Sequence, residues 1–456
     1  MPLVNNAARG DALLSGFNIQ SLQSPWLTLK FTCSVITPIY GGGERSGQLS
    51  EKGPRSPSIK GQLRAWWRLL NIDRFGHDHE AMFSEEALLF GSARDDENSG
   101  KSKITVQASG WSAAAKETKE NLAGKNSHLG FRYSLGVLSG VNPLLQTSGK
   151  FELAIGLNNG LDINQQRSVM QALSWWSAFG GLGGRTRRGF GKLDVVQHES
   201  EVAEHLRLVN PFDVLKEAGH SPSDAVDNQF RFYVYGSSGK SKAFENATEA
   251  LTQALKSFAD FRQTPVMGRN EGQEKNRPGR SRWPEPDAIR LLTGVHARKH
   301  EPKHLAGKVM PRAAFGMPII VDFKSNGNGP DADPAKTILN PVKKGAYEPV
   351  ERMASPLIFS VMPVNSGHKT KWAPVLLVLP MRHITQESLQ VAVQYTEGRK
   401  KLSAKPVDIW PWGNAAEQVR LADSIYPIKE MRKIDPRIKD PVAAFAQYFL
   451  MGGTTK

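Results

Sequence analysis

Gly180-Gly181-Leu182-Gly183-Gly184-Arg185-Thr186-Arg187-Arg188-Gly189-Phe190-Gly191-Lys192 is the stretch on which the reading of this chain turns. Six glycines stand among four cations, without an acid. Glycine takes positive φ at no steric cost and lets another chain approach the backbone closely. Freed N–H groups beside guanidinium groups suit an anion, above all a nucleic-acid phosphate. The NTPase phosphate loop is excluded: Gly184 and Gly189 have its spacing, but Phe190 stands where its lysine belongs. The dinucleotide fingerprint is excluded too, because a helical pattern precedes the stretch, not a strand. That pattern is Gln165–Phe179, with Val169, Ala172, Leu173, Trp176 and Phe179 inward. A strand pattern, Lys192–Val196, follows. Glycine and arginine alone fit a mobile surface loop equally well, so the surroundings decide.

The chain has 456 residues, room for two or three domains, and a formal net charge of +15. Such a balance points to an acidic partner, with nucleic acid ahead of an anionic membrane surface. No apolar run approaches the ~18 residues of a membrane helix, and the N-terminus, Met-Pro-Leu-Val-Asn-Asn, lacks a secretory core. The expectation is a cytoplasmic protein without a membrane partner. Cys33 is the sole cysteine, which excludes an intrachain disulfide and a cysteine metal cluster. His77-Asp78-His79-Glu80 resembles a metal site, but no further cluster completes it. Neither metal nor cofactor is expected.

Upstream, residues 1–25 read as an extended arm and Trp26–Ile36 as a strand, with Leu27, Leu29, Phe31, Cys33 and Val35 on one face. Cys33 on the core face reads as an inert thiol rather than a nucleophile. Thr37–Pro57 is a glycine-rich loop carrying Arg45, Lys52 and Arg55. A helix over Ser58–Asn71 has the apolar stripe Ile59, Leu63, Trp66, Trp67, Leu70, which is core spacing for the tryptophans. Lys60, Arg64 and Arg68 line the adjoining face, with Ser58 as N-cap and Gly61 baring N–H groups of the first turn, a setting that favours phosphate. Lys103–Ala108, Gly130–Val137 and Lys150–Leu157 read as strands. The order strand, helix, strands, helix, strand is the ferredoxin-like split βαβ plan, with insertions, which also underlies RNA-recognition domains.

Four stretches carry a family resemblance: Thr37-Pro38-Ile39-Tyr40-Gly41-Gly42-Gly43, then Ser56-Pro57-Ser58-Ile59-Lys60-Gly61-Gln62-Leu63-Arg64-Ala65-Trp66-Trp67-Arg68, then Leu89-Phe90-Gly91, then the glycine-arginine loop. They resemble the RAMP superfamily of CRISPR proteins. Gly279–Arg290, Ala314–Ile319 and Arg352–Leu357 extend the likeness to the family of first RAMP subunits of Cmr (type III-B) effectors. The resemblance implies an α+β chain of two tandem ferredoxin-like (RRM-like, βαββαβ) RAMP domains with insertions. It implies a seat beside other RAMP subunits, holding the 3′ part of the guide RNA and its paired target RNA, with the cutting done by other subunits. By motif position the RNA-binding residues would be Lys60, Gly61, Arg64, Gly183, Gly184, Arg185, Arg187 and Arg188.

The expected domains are 1–205 and 206–456. In the second, Phe230–Tyr235 reads as a strand and Ala243–Phe261 as a helix. Residues 262–312 then break pattern, with twelve Lys or Arg against five Asp or Glu, a net of +7. Arg280, Arg282 and Trp283 suit RNA there, guanidinium for phosphate and indole for a base; the alternative is a solvated insertion. A helix is expected at Pro286–Thr293, strands at Met317–Phe323, Pro356–Val364 and Trp372–Leu379, a loop at Lys324–Lys344, and a segment Leu421–Ile425 before a terminal helix Pro441–Met451. His296, His300 and His304 are spaced by four, as metal ligands or catalytic bases would be, but Pro302 interrupts the helix. The reading is a non-catalytic RNA-binding subunit. The rival is a metal-independent guide-processing RNA endonuclease using His296 or His300. A scaffold using Trp66, Trp67, Trp175 and Trp176 ranks last.

Overall fold

A computed structural model describes residues 24–452, apart from 46, 77, 94–99, 114, 119–121, 123–129, 136–143, 200, 218–229, 238–242, 264–267, 270–278, 324–330, 347, 367–368, 382–388, 398–399 and 426–439. The expected arm thus lies almost wholly outside the described residues, as does His77.

The first half opens with β1 (Trp26–Val35) and β2 (Ile39–Tyr40), then α1 (Ser56–Asn71) and α2 (His79–Phe90). After β3 (Ile104–Ala113), β4 (Lys116–Thr118), α3 (Gly130–Leu135) and β5 (Leu144–Gln146) come β6 (Gly149–Asn158), α4 (Ile163–Phe179) and β7 (Leu193–Gln197). Four strands form an antiparallel sheet in the order β3-β6-β1-β7. Strand alternation explains its inner face: Leu29, Phe31 and Cys33 on β1 and Phe151, Leu153, Ile155 and Leu157 on β6 are buried. Leu27 is exposed, so the core face begins at Leu29. Ile59, Leu63, Trp66 and Trp67 of α1 and Val169, Leu173, Trp176 and Phe179 of α4 share this core. Asp162 and Gln165 cap α4 reciprocally, which fixes its start. Burial pushes the Cys33 thiol up to about 12, so its thiolate is suppressed.

The second half adds α5 (Pro211–Glu217), β8 (Arg231–Val234), α6 (Ala247–Gln263), α7 (Glu285–Thr293), β9 (Ile319–Val321) and β10 (Thr337–Lys343). It closes with β11 (Leu357–Ser366), β12 (Lys369–Val378), β13 (Leu389–Glu397), β14 (Lys400–Asp408), α8 (Ala415–Ile425) and α9 (Pro441–Leu450). A three-stranded sheet, β11-β12-β8, has both faces covered. Ile358, Val375 and Leu377 join the first core beside α4, while Phe359, Val361 and Leu376 join a second core with α6 and α9. A further sheet runs β14-β13-β10-β9.

Three sequence expectations fail here for identifiable reasons. Gly130–Leu135 is helical, not extended: Phe131 and Leu135, four apart, are buried, and Tyr133 meets Phe258 of α6 edge-on at 5.9 Å. Thr337–Lys343 is a strand inside the expected 324–344 loop; Pro341 pairs with Val391 despite lacking an N–H. Leu421–Ile425 is the end of a longer helix, α8.

Candidate nucleic-acid interface

Two glycine-bearing segments meet main chain to main chain. The Gly184 N–H donates to the Tyr40 carbonyl at 2.6 Å, and a Cβ on Gly183 would lie 2.4 Å from that oxygen. A Cβ on Gly42 would lie 3.3 Å from Gly183 Cα. The glycines are therefore required first by close backbone packing. Between the segments lies a cleft of about 410 Å³, lined by the Tyr40–Arg45 segment, Gly181–Gly184, Arg55, Ser58, Gln62 and Trp111. Arg185, on its rim, is exposed and has φ 62°, the one positive-φ residue other than glycine among the described residues. Such a conformation is costly for a residue with a Cβ and is a mark of functional sites.

Past Arg185 the loop turns inward, which corrects the expectation of a surface clamp. Arg187 donates to the Ser355 carbonyl. The Arg188 guanidinium lies 4.5 Å from the Phe258 ring and 5.5 Å from Phe359, with Nη1 buried and unpartnered. Burial lowers its pKa to about 10. A Cβ on Gly189 would strike Leu251, and Phe190 packs on Phe131 with ring centroids 5.2 Å apart. Lys192 is also buried; its ammonium donates to the Ser177 and Ala178 carbonyls at the end of α4. The loop is thus a wedge between the two cores, and within it only Gly183 and Arg185 are exposed.

The α1 residues also differ from expectation. The helix begins at Ser56, capped by Arg55 without a side-chain bond, so Ser58 is not its N-cap. Ser58 and Ile59 N–H groups both bond the Arg55 carbonyl. Gly61 consequently falls in the second turn, where its N–H belongs to the helix ladder. Lys60 donates to Ser102 Oγ at 2.7 Å. Arg64 and Arg68 converge on buried Glu86 of α2. That stripe is set about half a turn from Ser58 and Gln62, which face the cleft. Arg45, Arg55 and Gln62 were therefore the cleft residues that sequence reasoning did not assign; the glycine run at 41–43 was the available signal.

Several described residues of the basic segment 262–312 are built into the second core, among them Trp283, Ala288, Ile289 and Met310. Trp283 is 3% exposed, set edge-on to Phe261 and Phe315, so it is not an exposed stacking platform. Arg282 Nε donates to the Arg269 carbonyl, whereas Arg280 is exposed and donates to the Glu301 carbonyl. Arg290 bridges Asp287 and Asp333, and Arg312 holds Glu285. Burial alone would raise the Asp333 carboxyl, but bonds from Arg290 and His300 hold it below its usual value. Part of the concentrated positive charge is thus neutralised within the fold, by Asp333 from beyond the segment. Of the histidines, His304 bonds the Arg282 carbonyl and Ala306 N–H, His296 faces the Ala297 carbonyl, and His300 Nδ1 meets Asp333 at 2.6 Å. No cluster of metal-binding side chains occurs among the described residues. No helix among them is long and apolar enough to cross a membrane.

The tertiary structure joins two cationic stretches that are far apart in sequence. Arg188 and Arg262 share the Phe258 ring, at 4.5 and 5.2 Å. Arg262 and Arg269 each feel Arg312, and Arg188 feels Arg185 and Arg187. A row of guanidinium groups therefore runs from the cleft rim to a second cavity, of about 650 Å³, that Arg262, Arg269, Arg280 and Arg312 line.

Comparison with known proteins shows what the chain is similar to. Residues 32–194, which hold all or part of each strand of the first sheet and both glycine segments, match the model of the RAMP superfamily. The chain resembles, more particularly, subunit 1 of the Cmr complex. It is 28% identical over 178 residues to CRISPR system Cmr subunit Cmr1-1 of Pyrococcus furiosus, covering 38% of this chain and 49% of that one. It is 35% identical over 92 residues to Cmr1-2 of the same organism, covering 18% and 46%. The matched region thus spans about half the length of these relatives. The crystal structure of Cmr1 from Pyrococcus furiosus aligns over 77% of this chain and 88% of that one, at 18% identity and a TM-score of 0.41.

Proposed function

We propose that this chain is a non-catalytic RNA-binding subunit of a type III-B CRISPR effector, holding the 3′ part of the guide RNA and its paired target beside other RAMP subunits. We read its halves, 1–205 and 206–456, as two embellished ferredoxin-like units. The first-sheet order β3-β6-β1-β7, with α1 and α4 on one face, supports this for the first half. The order β11-β12-β8 beside α6 and α9 supports a three-stranded version in the second. The observation that carries the function is the glycine cleft, with Arg45 and Arg55 in its wall and the exposed Arg185 beside Gly184. Such a surface grips phosphates and leaves sequence reading to base pairing.

The test is guide-RNA affinity against salt. Replacing Arg45 and Arg185 together by Ala should weaken binding and lower the salt slope by about 1–2, since each phosphate contact contributes about 0.7–0.9. Arg188→Ala should act through stability instead. Unchanged affinity and slope in the Arg45/Arg185 variant would refute the cleft as the RNA path.

One observation favours a second reading, a metal-independent RNA endonuclease. His300 pairs with Asp333 at the wall of the arginine-lined cavity, an arrangement suited to a general base. Discrete cleavage of repeat RNA that disappears in His300→Ala would replace the binding-only reading; among the described residues His296 has no carboxylate partner.

A further inference from the structure

The rim of the glycine cleft is held from outside the first sheet. Arg185 has a left-handed backbone, and among the described residues its guanidinium has neither an ion pair nor a hydrogen bond. A residue with a Cβ stays in that conformation only where its surroundings over-determine it. On the side of the first sheet the backbone is tied at two points. The Gly184 N–H bonds the Tyr40 carbonyl at 2.6 Å, and the Gly189 carbonyl accepts from Thr37 Oγ1 at 2.6 Å. Between them Thr186–Arg188 forms one short turn. It is closed by the Arg188 and Gly189 N–H groups on the Arg185 and Thr186 carbonyls, both at 2.8 Å.

The side chains that fasten this turn reach into the later half of the chain. Arg187 donates to the Ser355 carbonyl, 168 positions away, and Arg188 lies over Phe258 and Phe359. Ser355 leads into β11 and is fixed on both sides. Met317 and Met353 exchange N–H···O bonds at 2.9 and 3.2 Å, and the Leu379 N–H donates to the Pro356 carbonyl at 2.9 Å. The two anchors differ in what else they do. Arg188 fills the core, so its loss would empty a packed site. Arg187 is half-buried, and among the described residues it has no carboxylate partner. A cation placed on a neutral carbonyl gains direction rather than charge neutralisation. Arg187 thus faces the β11 segment, while Arg185, two residues earlier, stands exposed.

We propose that Arg187 is a positioning residue for RNA: its bond to the Ser355 carbonyl holds the 186–188 turn in place and keeps Arg185 at the cleft rim, where it meets a phosphate. The inference rests on the RNA-binding reading and adds to it that a distant segment completes the rim. Arg187 itself touches no phosphate. Released from Ser355, the turn relaxes and Arg185 returns to the favoured right-handed region. Its charge remains, but its contact is lost.

The affinity of the full chain for a single-stranded guide RNA is measured against salt, for Arg185→Ala, Arg187→Ala and the double variant. Arg187→Ala should weaken binding about tenfold, the loss of one charge-assisted contact, and lower the salt slope by about 0.7, as Arg185→Ala does. The double variant should match either single one, because both remove the same contact. Arg187→Met keeps the packed stem without the donor, and serves if the Ala variant fails to fold. Losses that add in the double variant, with the slope falling by about 1.4, would make Arg187 a direct phosphate ligand and overturn the proposal. Unchanged affinity and slope in Arg187→Ala would overturn it too. So would a lower denaturation midpoint with an unchanged slope, which leaves Arg187 a structural residue. All three results leave the RNA-binding reading standing. An Arg185→Ala variant that binds as the parent does would instead remove the rim from the RNA path, and this inference with it.

Discussion

Replacing Gly191 by Ala tests whether the glycine loop is a packed wedge. Gly191 has φ 71°, its N–H donates to the Pro38 carbonyl at 2.9 Å, and its own carbonyl accepts from Leu182 N–H at 2.9 Å. A Cβ there would lie 2.1 Å from the Leu182 carbonyl oxygen and 2.8 Å from Leu182 N. Those are backbone atoms, so no side chain can swing aside. The left-handed conformation costs Ala about 1–2 kcal/mol, and forcing the strands apart adds about 1–3 kcal/mol. Weakening the two hydrogen bonds pushes the sum toward about 3–5 kcal/mol. A domain is stable by only about 5–15 kcal/mol, so the loss is a large fraction of the total. Denaturant titration followed by tryptophan fluorescence reports it, as a fall in midpoint at constant slope. A loss under about 1 kcal/mol would refute the packing described. An unchanged midpoint with collapsed guide-RNA affinity would mean that Gly191 serves the ligand instead.

Two further outcomes follow from the same geometry. Gly61→Ala places a Cβ in open space on the exposed side of α1, and should raise stability by about 0.5–1 kcal/mol; a decrease in thermal midpoint would contradict the helix register. Burial lowers the Lys192 pKa from 10.5 to about 7, so between those values the unfolded chain binds the extra proton. That contribution therefore rises with pH, by about 2 kcal/mol from pH 7 to 9, and Lys192→Met should flatten it. Cys33, raised from 9.0 to about 12, begins to favour the unfolded chain at the top of that window, near pH 9, equally in variant and parent. Equal pH profiles for the variant and the parent would show that Lys192 is solvated.

The strongly periodic parts of the chain were legible. The alternation from Leu29 to Cys33, the apolar stripe of α1 and the capped helix α4 each name their own partners, because burial of one face sets the period. The basic ridge was misleading. Lys60, Arg64 and Arg68 look like a free cationic face until Glu86, on the next helix, is brought beneath two of them. The short helix at Gly130 and the Pro-bearing strand β10 were illegible because local preference opposes them, and only α6 and β13 hold them in place.

By itself the sequence determined a mixture of helix and strand periodicities, two glycine segments, an excess of positive charge and the family likeness those motifs carry. Each is a local property, written in residue type and spacing. Only the tertiary structure decided which arginines remain available. It sank Arg188 onto Phe258 and left Arg185 at a cleft rim, and it brought residues 185–188 alongside Arg262 across some seventy positions of chain. A guanidinium's role is set by what neutralises it, and for most of these groups the neutralising carboxylate, carbonyl or ring comes from a distant segment.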